Sequence, residues 1–416
     1  MKRNHNILLT SLLSLLLPFA ASAAEEEGAM DLSSAITSGK ATISGRYRYE
    51  FVDQDNALKN ANASTLRLRL NYRTSQWKGW SGFAEFDHVF HVLIDDFNSG
   101  GGTSPNRSEY SVVADPKGSD LNQMYFDLDP NDDWKYRFGR QRILLDNQRF
   151  VGGVGWRQNE QTYDALTLNT KAISKTVLSY SYVNRVRRIF GETRPDPTGK
   201  ARLDGHLFNA KITISDAFSV TPYLYYLDYA RALDNSTMTA GARLGGSVGM
   251  GSGKFNWLAE FARQSDAGDN PTSYDANYTH LTGAYAAGNG MTIGLGYEVL
   301  GADSGANTAF RTPLATLHAF NGWADQFLGT PAAGLEDVYV NFKMKAGKWN
   351  LTFVYHDFSS DTGSFDFGDE FDVSGALKLS DRYGLLLKGA FFSADSSSPL
   401  PNVDTTKLWV MLTASY

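Results

Sequence analysis

The sequence predicts an all-β protein, a transmembrane antiparallel β-barrel of 18 strands with short periplasmic turns and long extracellular loops. Three observations predict it: an N-terminal export signal, alternating apolar and polar residues, and a regular succession of short and long connections. The composition agrees. A mean hydropathy of −0.33 is too polar for a bundle of membrane-spanning helices, whereas 13% of the residues are aromatic and 39 are glycine.

Residues 1–23 have the pattern of a secretory signal peptide. Lys2 and Arg3 provide the charged start, an apolar run extends over 7–19, and small residues at 21–23 form a cleavage site. The alternative, a membrane anchor, is disfavoured because the run is shorter than the roughly 20 apolar residues that span a bilayer as a helix. Cleavage would remove two cations and change the formal charge from −6 to −8.

The remainder is expected to comprise a periplasmic lead-in, 24–41, and a single outer-membrane barrel, 42–416. In the first barrel segment Arg46, Arg48 and Glu50 share one face, and aromatic residues occupy the other. Such a period of two is the signature of a β-strand. The same pattern predicts further strands at 64–73, 80–89, 121–128, 134–142, 162–170, 176–185, 205–214, 218–228, 238–248, 254–264, 277–286, 291–300, 336–345, 348–357, 370–378, 383–393 and 406–416.

The connections between predicted strands alternate in length. Every connection after an odd-numbered strand is longer than every connection after an even-numbered one, as 301–335 and 346–347 illustrate. A soluble β-sandwich also shows alternating residues, but it has no reason to keep this rhythm along a whole chain, whereas an outer-membrane barrel does. The last predicted strand ends on Tyr416, and a terminal aromatic residue is typical of the signal read by the outer-membrane assembly machinery.

The polar faces of the strands are predicted to line a water-filled interior, which a barrel of this size leaves open. Basic residues concentrate in the first five strands, and the planar guanidinium suits carboxylates, so a narrow pore lined this way would concentrate anions. The alternative is that these arginines form ion-pair ladders that only stiffen the wall, and both can hold together. The strand residues predicted to line the pore are Arg46, Arg48, Arg67, Arg69, Arg73, Glu85, Asp87, Arg137 and Arg142.

Two long connections, 143–161 and 301–335, are richer in apolar residues than exposed loops usually are. Phe150, Trp156 and Trp323 need a surface on which to pack. Both loops are therefore predicted to fold into the barrel mouth and narrow it, and a folded extracellular cap is the alternative. The side chains predicted to lie near the narrowest part are Arg149, Arg157, Arg311, His318 and Asp325.

Five short segments within and beside these loops carry a family resemblance: 139–142 (GRQR), 146–150 (DNQRF), 155–159 (GWRQN), 312–316 (TPLAT) and 318–325 (HAFNGWAD). They resemble the alginate-export family of outer-membrane porins. The resemblance implies an 18-stranded monomeric barrel with an electropositive, Arg-rich constriction, which in the namesake passes the polyuronate alginate outward. The arginines of this sequence are assigned to that constriction by their residue type and their position along the chain, and not by an alignment of individual residues.

The predicted function is therefore passive diffusion of anionic or polar solutes, such as uronates, oligosaccharides or organic acids, through the outer membrane of a Gram-negative bacterium. Two alternatives stay open. One is an export channel for alginate or another polysaccharide within a secretion system, and the other is a non-conducting structural or adhesive barrel. The chain looks shorter than the alginate exporter, which weighs against export of a long polymer.

Neither an enzymatic site nor a cofactor is expected. There is no cysteine, and no histidine accompanies a nucleophile motif such as G-x-S-x-G. The acidic stretch 357–372 offers oxygen ligands for Ca²⁺ but lacks the spacing of a calcium loop, so a solvated acidic loop is the favoured interpretation. The expected partners are a small solute, outer-membrane lipid and lipopolysaccharide, and the assembly machinery, without nucleic acid, and the barrel is expected to be a monomer.

Overall fold

The computed structural model describes residues 31–416. The predicted signal peptide, 1–23, lies outside the described residues, as does the first part of the predicted lead-in, 24–30. The described part of the lead-in contains a short helix that no sequence pattern predicted, α1 (Leu32–Thr37), which begins after Asp31 because that carboxylate accepts a hydrogen bond from the Ser34 N–H. No described helix is long and apolar enough to cross a membrane.

The described residues form one sheet of 18 strands, and each overlaps a predicted strand. A small extra hairpin, β14 (Ala302–Asp303) with β15 (Thr308–Ala309), lies within a loop and escapes prediction because its strands are so short. The barrel strands are β1 (Lys40–Gln54), β2 (Ala61–Arg73), β3 (Trp80–Asp96), β4 (Gly118–Asn131), β5 (Trp134–Gln141), β6 (Thr162–Thr170), β7 (Thr176–Arg187), β8 (Lys200–Ser215), β9 (Phe218–Tyr229), β10 (Thr237–Met250), β11 (Gly253–Asp266), β12 (Asp275–Ala286), β13 (Thr292–Leu300), β16 (Leu335–Ala346), β17 (Trp349–Ser359), β18 (Asp366–Lys378), β19 (Tyr383–Ala394) and β20 (Thr405–Ser415).

The sheet closes on itself because β1 pairs antiparallel with both β2 and β20. Beyond β20, the backbone N–H and C=O of Tyr416 exchange hydrogen bonds of 2.9 and 3.1 Å with Ile43. A closed sheet has no free edge, so every strand in the wall finds backbone partners without water. This closure is what permits the chain to cross lipid with strands.

The two faces of the wall separate apolar from polar side chains as the alternation predicts. Leu70, Phe126 and Leu295 lie on the outer face and are each more than half exposed, at 54%, 55% and 62%. Arg48 and Glu50 of β1 point inward and are fully or almost fully buried. An exposed apolar exterior is unfavourable in water and favourable in lipid, so the outer face is the membrane-facing one.

Short turns lie at one end of the barrel and long loops at the other. The turns include 132–133 and 251–252, whereas 97–117 is one of the long loops. The difference is less strict than the sequence suggests, because strands extend beyond their alternating segments and leave loops 55–60 and 360–365 no longer than the turn 74–79. The asymmetry nevertheless fits periplasmic turns and extracellular loops.

The largest buried apolar cluster lies inside the barrel. It joins Tyr278 and Trp409 from the inner wall to Phe310 and Leu314 from a long loop. A backbone bridge between Val151 and Leu314 ties two long loops to each other within this interior. Both loops therefore lie in the barrel mouth and do not cap it from outside. We call these two loops, 142–161 and 301–334, the plug.

Candidate functional site in the barrel lumen

The first plug loop is held by arginines of β1 and β2 that donate to its backbone. Arg46 donates to the carbonyls of Gly155, at 2.9 Å, and Arg157, and its Nε donates to the Gln158 side chain at 3.0 Å. Arg67 donates to the Gln158 carbonyl at 3.3 Å. Alternation along β1 and β2 places these guanidinium groups on the inner face, so they meet the loop where it crosses the lumen.

A second group of charges surrounds Trp156 of the plug. Arg48 is fully buried, donates to the Trp156 carbonyl, and lies 5.0 Å from the centre of the Trp156 ring. It pairs with Asp115, from the loop between β3 and β4, and lies 3.5 Å from Glu50. Arg157 pairs with Glu50 at 3.0 Å. Buried charges need such compensation, so these arginines are neutralised by neighbouring carboxylates.

The inner faces of β2 and β3 carry an ion-pair ladder. Arg69 binds Asp87 through two bonds of 2.7 and 2.6 Å and lies 2.9 Å from Glu160 of the plug. Arg142 donates to Glu85 at 2.6 Å and also binds Glu160. Burial alone would raise the pKa of Glu160, but the charges of Arg69 and Arg142 outweigh it and lower the pKa to about 2. Glu160 is therefore ionised and anchors the plug to the wall.

Nearer the periplasmic end, two more predicted arginines share one carboxylate. Arg137 binds Asp127 through bonds of 2.6 and 2.9 Å, and Arg73 lies 3.3 Å from the same residue. Arg73 also donates to the Tyr125 hydroxyl at 2.6 Å, and the Arg137 guanidinium lies 3.9 Å from the Tyr125 ring centre. The planar guanidinium suits both contacts. This cluster carries an excess of positive charge over its single carboxylate.

On the opposite wall, Arg149 joins both plug loops to β13. Its guanidinium binds Glu298 through bonds of 2.8 and 3.2 Å and donates to the Asn321 side chain at 2.8 Å. The Tyr278 hydroxyl donates to Glu298 at 2.6 Å, and the Phe320 ring centre lies 4.8 Å from the Arg149 guanidinium. The Arg149 side chain is only 2% exposed. This bidentate pair is therefore a buried, almost dry contact.

His318 and Asp325 of the second plug loop lie together against the wall. His318 Nδ1 donates to Asp325 at 2.7 Å, and Nε2 accepts from Lys388 of β19 at 2.7 Å. Asp325 also pairs with Lys407 of β20 at 2.9 Å and with Arg157 at 3.3 Å. Burial, with the nearby lysine charge, lowers the pKa of His318 to about 3 despite Asp325. The ring is therefore neutral, which fits its acceptor role.

Three tryptophan rings surround the ammonium of Lys388. Its Nζ lies 3.6 Å from the ring centre of Trp323, 4.3 Å from that of Trp156 and 5.3 Å from that of Trp409. Trp156 also stacks on His318, with ring centres 4.5 Å apart and planes at 9°. Aromatic faces attract a cation electrostatically. This aromatic cage binds the wall lysine to both plug loops, since Trp156 and Trp323 belong to different ones.

A tight turn in the second plug loop binds two carboxylates of β18. The N–H of Trp323 donates to Asp372 at 3.2 Å, and the N–H of Ala324 donates to Glu370 at 2.7 Å. Gly322 has a φ of +81°, and a Cβ there would lie 2.3 Å from Glu370 Oε2. Only glycine allows this approach, because it is free of both the left-handed strain and the clash.

On the periplasmic side of the plug, the lumen holds a cavity of about 540 Å³. We call it the vestibule. Its charged lining residues are Arg46, Arg67, Lys378 and Arg382, with Asp381 as the one carboxylate. Arg46 forms no ion pair with any described carboxylate, because its three hydrogen bonds all go to neutral oxygens. Arg67 lies 3.7 Å from Glu160 of the plug, and Lys378 pairs with Asp381, so among the described residues the uncompensated positive charge of the vestibule comes from Arg46 and Arg382.

The structure brings all the predicted site residues into the lumen, but it groups them differently from a simple arginine lining. Arg311 lies apart from the ladders, and its guanidinium donates to the Thr308 hydroxyl at 3.3 Å. Sequence reasoning missed Asp115 and Glu160, which lie in loops without alternation. It also missed Glu298 and Lys388, although they lie on the inner faces of predicted strands and alternation could have found them.

The acidic stretch 357–372 is not one loop. Its ends belong to β17 and β18, so Glu370 and Asp372 point inward whereas Asp357 and Asp369 pair on the other face of the hairpin. In the part of the chain that the structure describes, no group of three or more His, Asp or Glu side chains is arranged to hold a metal ion.

Comparison with known proteins agrees with this architecture. The family model described as alginate export matches residues 40–303. The protein belongs to the alginate-export family. The match covers the strands that carry the predicted arginines and the whole of the first plug loop. It ends just inside the second plug loop.

Similar solved structures include outer-membrane porins of two bacteria. OccAB1 of Acinetobacter baumannii gives a TM-score of 0.71 at 12% identity, over 92% of this chain and 97% of that one. OccK9 (OpdG) of Pseudomonas aeruginosa gives 0.70 at 14%, over 92% and 99%. OpdK of the same species, solved with vanillate, gives 0.69 at 10%, over 92% and 99%. At these sequence identities the structural similarity shows that the fold is shared, and nothing more specific. A comparison with curated proteins found no match.

Family membership and fold together define the coarse function. This member of the alginate-export family is a porin-type barrel of the Gram-negative outer membrane and not an enzyme. In this protein the plug is bonded to several parts of the wall.

Proposed function

We propose that this barrel is a passive channel for small anionic or polar solutes, with uronates, oligosaccharides and organic acids as the substrate classes. The charge of the vestibule carries the proposal: Arg46, Arg67, Lys378 and Arg382 face it together with one carboxylate, Asp381. A cavity with low-dielectric walls focuses the field of its charges and raises the local concentration of counter-ions. Guanidinium groups also match carboxylates in shape.

The paired arginines have a different proposed role. Since Arg48, Arg69 and Arg149 are each matched by carboxylates, their charge is largely compensated and serves to hold the plug. The constriction then selects mainly by size, while uncompensated charge on its periplasmic side attracts anions. Under this proposal both interpretations of the arginines hold, at different depths of the lumen.

The attachment of the plug favours small solutes over a long polymer. Arg157 bonds to β1 through Glu50, and Asp325 bonds to β20 through Lys407. Arg149 bonds to β13, across the lumen. Passage of a polyuronate chain would require several of these buried contacts to stay broken throughout export, which is costly. Diffusion of small molecules past the plug does not require this.

The test is ion selectivity in planar bilayers under a KCl gradient. The purified barrel should conduct with a reversal potential that favours Cl⁻, and Arg46→Gln should move that potential towards zero by removing an uncompensated luminal charge. A matched control is Arg263→Gln, because Arg263 is 69% exposed and pairs with Asp275 away from the lumen. A barrel that never conducts would contradict the channel and favour the structural alternative, whereas equal shifts in both variants would contradict the role of Arg46.

Size selection is tested by solute uptake into liposomes that contain the barrel. Galacturonate should enter faster than trigalacturonate, and a long polyuronate should not enter at measurable rates. Rapid flux of the long polymer would overturn the proposed size limit and support the export alternative.

A further inference from the structure

Two arginines on the extracellular side of the plug take no part in the ion-pair ladders. Arg188 directly follows β7, and Arg311 belongs to the second plug loop. Both line a cavity of about 290 Å³. Neither forms an ion pair with any carboxylate in the described part of the chain, in contrast to Arg48, Arg69 and Arg149. Two arginines thus line one small cavity, and neither is neutralised by a carboxylate of the described residues.

The rest of the cavity lining is uncharged and of two kinds. One part supplies hydroxyl and amide groups, and the other supplies an apolar patch of Pro313, Leu317 and Leu328. Leu328 is 49% exposed, although it lies in a loop that otherwise packs into the barrel. The lining contains neither Asp nor Glu. The polar uncharged groups are Asn235, Asn307, Thr308, Thr312 and Thr330.

We propose that this cavity binds one small hydroxylated carboxylate, a sugar acid of single-ring size. Arg188 and Arg311 would take the carboxylate, because guanidinium donors match its two oxygens. The threonine and asparagine groups can exchange hydrogen bonds with ring hydroxyls, and the apolar patch can cover the C–H face of a pyranose. The volume lies just below the roughly 300–1,000 Å³ typical of small-molecule sites, so the cavity fits a monomer better than a polymer.

This site deepens the proposed function and rests on it for its place in transport, since it would capture the solute at the extracellular face of the plug, before the solute passes the plug. The chemistry separates three kinds of ligand. A neutral sugar has the hydroxyls without the charge, and a simple carboxylate such as acetate has the charge without the hydroxyls. Only a sugar acid satisfies both parts of the lining, so it should bind more tightly than either.

The experiment is calorimetric titration of the full barrel, purified in detergent, with galacturonate, glucose and acetate as separate probes. Galacturonate should bind and should exceed both other probes in affinity by at least about tenfold. Arg188→Gln combined with Arg311→Gln should weaken galacturonate binding by about a hundredfold, or about tenfold for each arginine. Arg231→Gln is the matched control, because Arg231 is an exposed arginine of the neighbouring extracellular loop, and it should leave binding unchanged.

Three results would overturn the proposal: no binding of galacturonate to the wild-type barrel, equal affinity for glucose or acetate, or unchanged affinity in the double variant. If the double variant does not refold, Arg188→Gln alone is measured and should lose about tenfold. The titration needs no conduction, so the two proposals can fail separately. Galacturonate binding by a barrel that does not conduct contradicts only the channel, and anion conduction without binding contradicts only this site.

Discussion

Lys388 Nζ lies 2.7 Å from His318 Nε2, so a cation on the wall strand β19 is bonded directly to a ring of the plug. His318 can accept this bond because its other nitrogen donates to Asp325 at 2.7 Å. The same lysine faces Trp323 at 3.6 Å and Trp156 at 4.3 Å. One wall side chain therefore connects both plug loops to the barrel, and its loss should weaken the attachment of both loops.

Lys388→Met tests this connection. Methionine fills much of the same volume but loses the hydrogen bond to His318 and the attraction to the tryptophan faces, which together amount to about 2 kcal/mol of plug attachment. We expect a red shift of tryptophan fluorescence as Trp156 and Trp323 meet water, and larger, noisier single-channel currents. Lys171→Met is the control, because Lys171 is exposed in the short turn between β6 and β7 and does not line the vestibule. Identical spectra for Lys388→Met and wild type would contradict the role of the cage.

Acidification should release the plug through His318. The pKa of His318 is about 3 in the folded protein against an ordinary value of 6.5. Below pH 6.5 the His318 imidazole is protonated when the plug is released but stays neutral while the plug is bound. The equilibrium constant for plug attachment therefore falls by about tenfold per pH unit as pH decreases from 6.5 towards 3. Conductance should therefore rise between pH 6.5 and 4.5.

The contribution of Glu160 falls in a different pH window. Its pKa is lowered from 4.5 to about 2, so its stabilising effect is present above pH 4.5 and is lost as pH falls through 2. Of these two plug residues, only His318 should act between pH 6.5 and 4.5. His318→Gln should flatten the conductance change there, while His88→Gln, on the outer face of β3, should keep it. An unchanged pH profile in His318→Gln would refute the assignment.

The strands were predictable because lipid on one side and water on the other impose a period of two on each of them. That constraint acts locally, and alternation alone is enough to assign Arg46 and Arg69 to the inner face. It says nothing about loops. Asp115 meets Arg48, and Glu160 meets Arg69, only because loops far apart in sequence fold into one lumen.

The sequence also could not show which arginines remain uncompensated. A guanidinium buried in a narrow lumen is costly unless a carboxylate or a carbonyl accepts its hydrogen bonds. Which of these partners it contacts depends on how the loops fold into the lumen. Arg46 and Arg48 occupy equivalent alternating positions on β1, yet Arg46 binds neutral oxygens whereas Arg48 pairs with Asp115. Arg188 carries no sequence signal at all, since it lies beyond the alternating part of β7.

Arg149→Met should detach the plug from β13. The change removes a bidentate partner and leaves Glu298 buried without its cation, which costs about 3–5 kcal/mol when one member of a buried pair is lost. We expect faster proteolytic cleavage within the plug loops while the barrel stays folded. Adding Glu298→Gln to Arg149→Met removes the unpaired charge and should restore much of the protease resistance. If the double variant is as sensitive as the single one, the uncompensated charge is not the cause.

Gly322→Ala should disrupt the turn that binds Glu370. The residue has a φ of +81°, and a Cβ would lie 2.3 Å from Glu370 Oε2, so alanine would be strained and would displace the carboxylate from the Ala324 N–H. We expect a loss of about 1–3 kcal/mol in plug attachment, seen as faster hydrogen exchange of the Trp323 and Ala324 amides. Gly329→Ala is the matched control in the same loop, because a Cβ there meets nothing within 4 Å and its φ is not positive. Since both variants add one methyl group to the same loop, equal exchange rates in the two would contradict a specific role for Gly322, whereas faster exchange in Gly322→Ala alone identifies this turn as a point where the plug is fixed to β18.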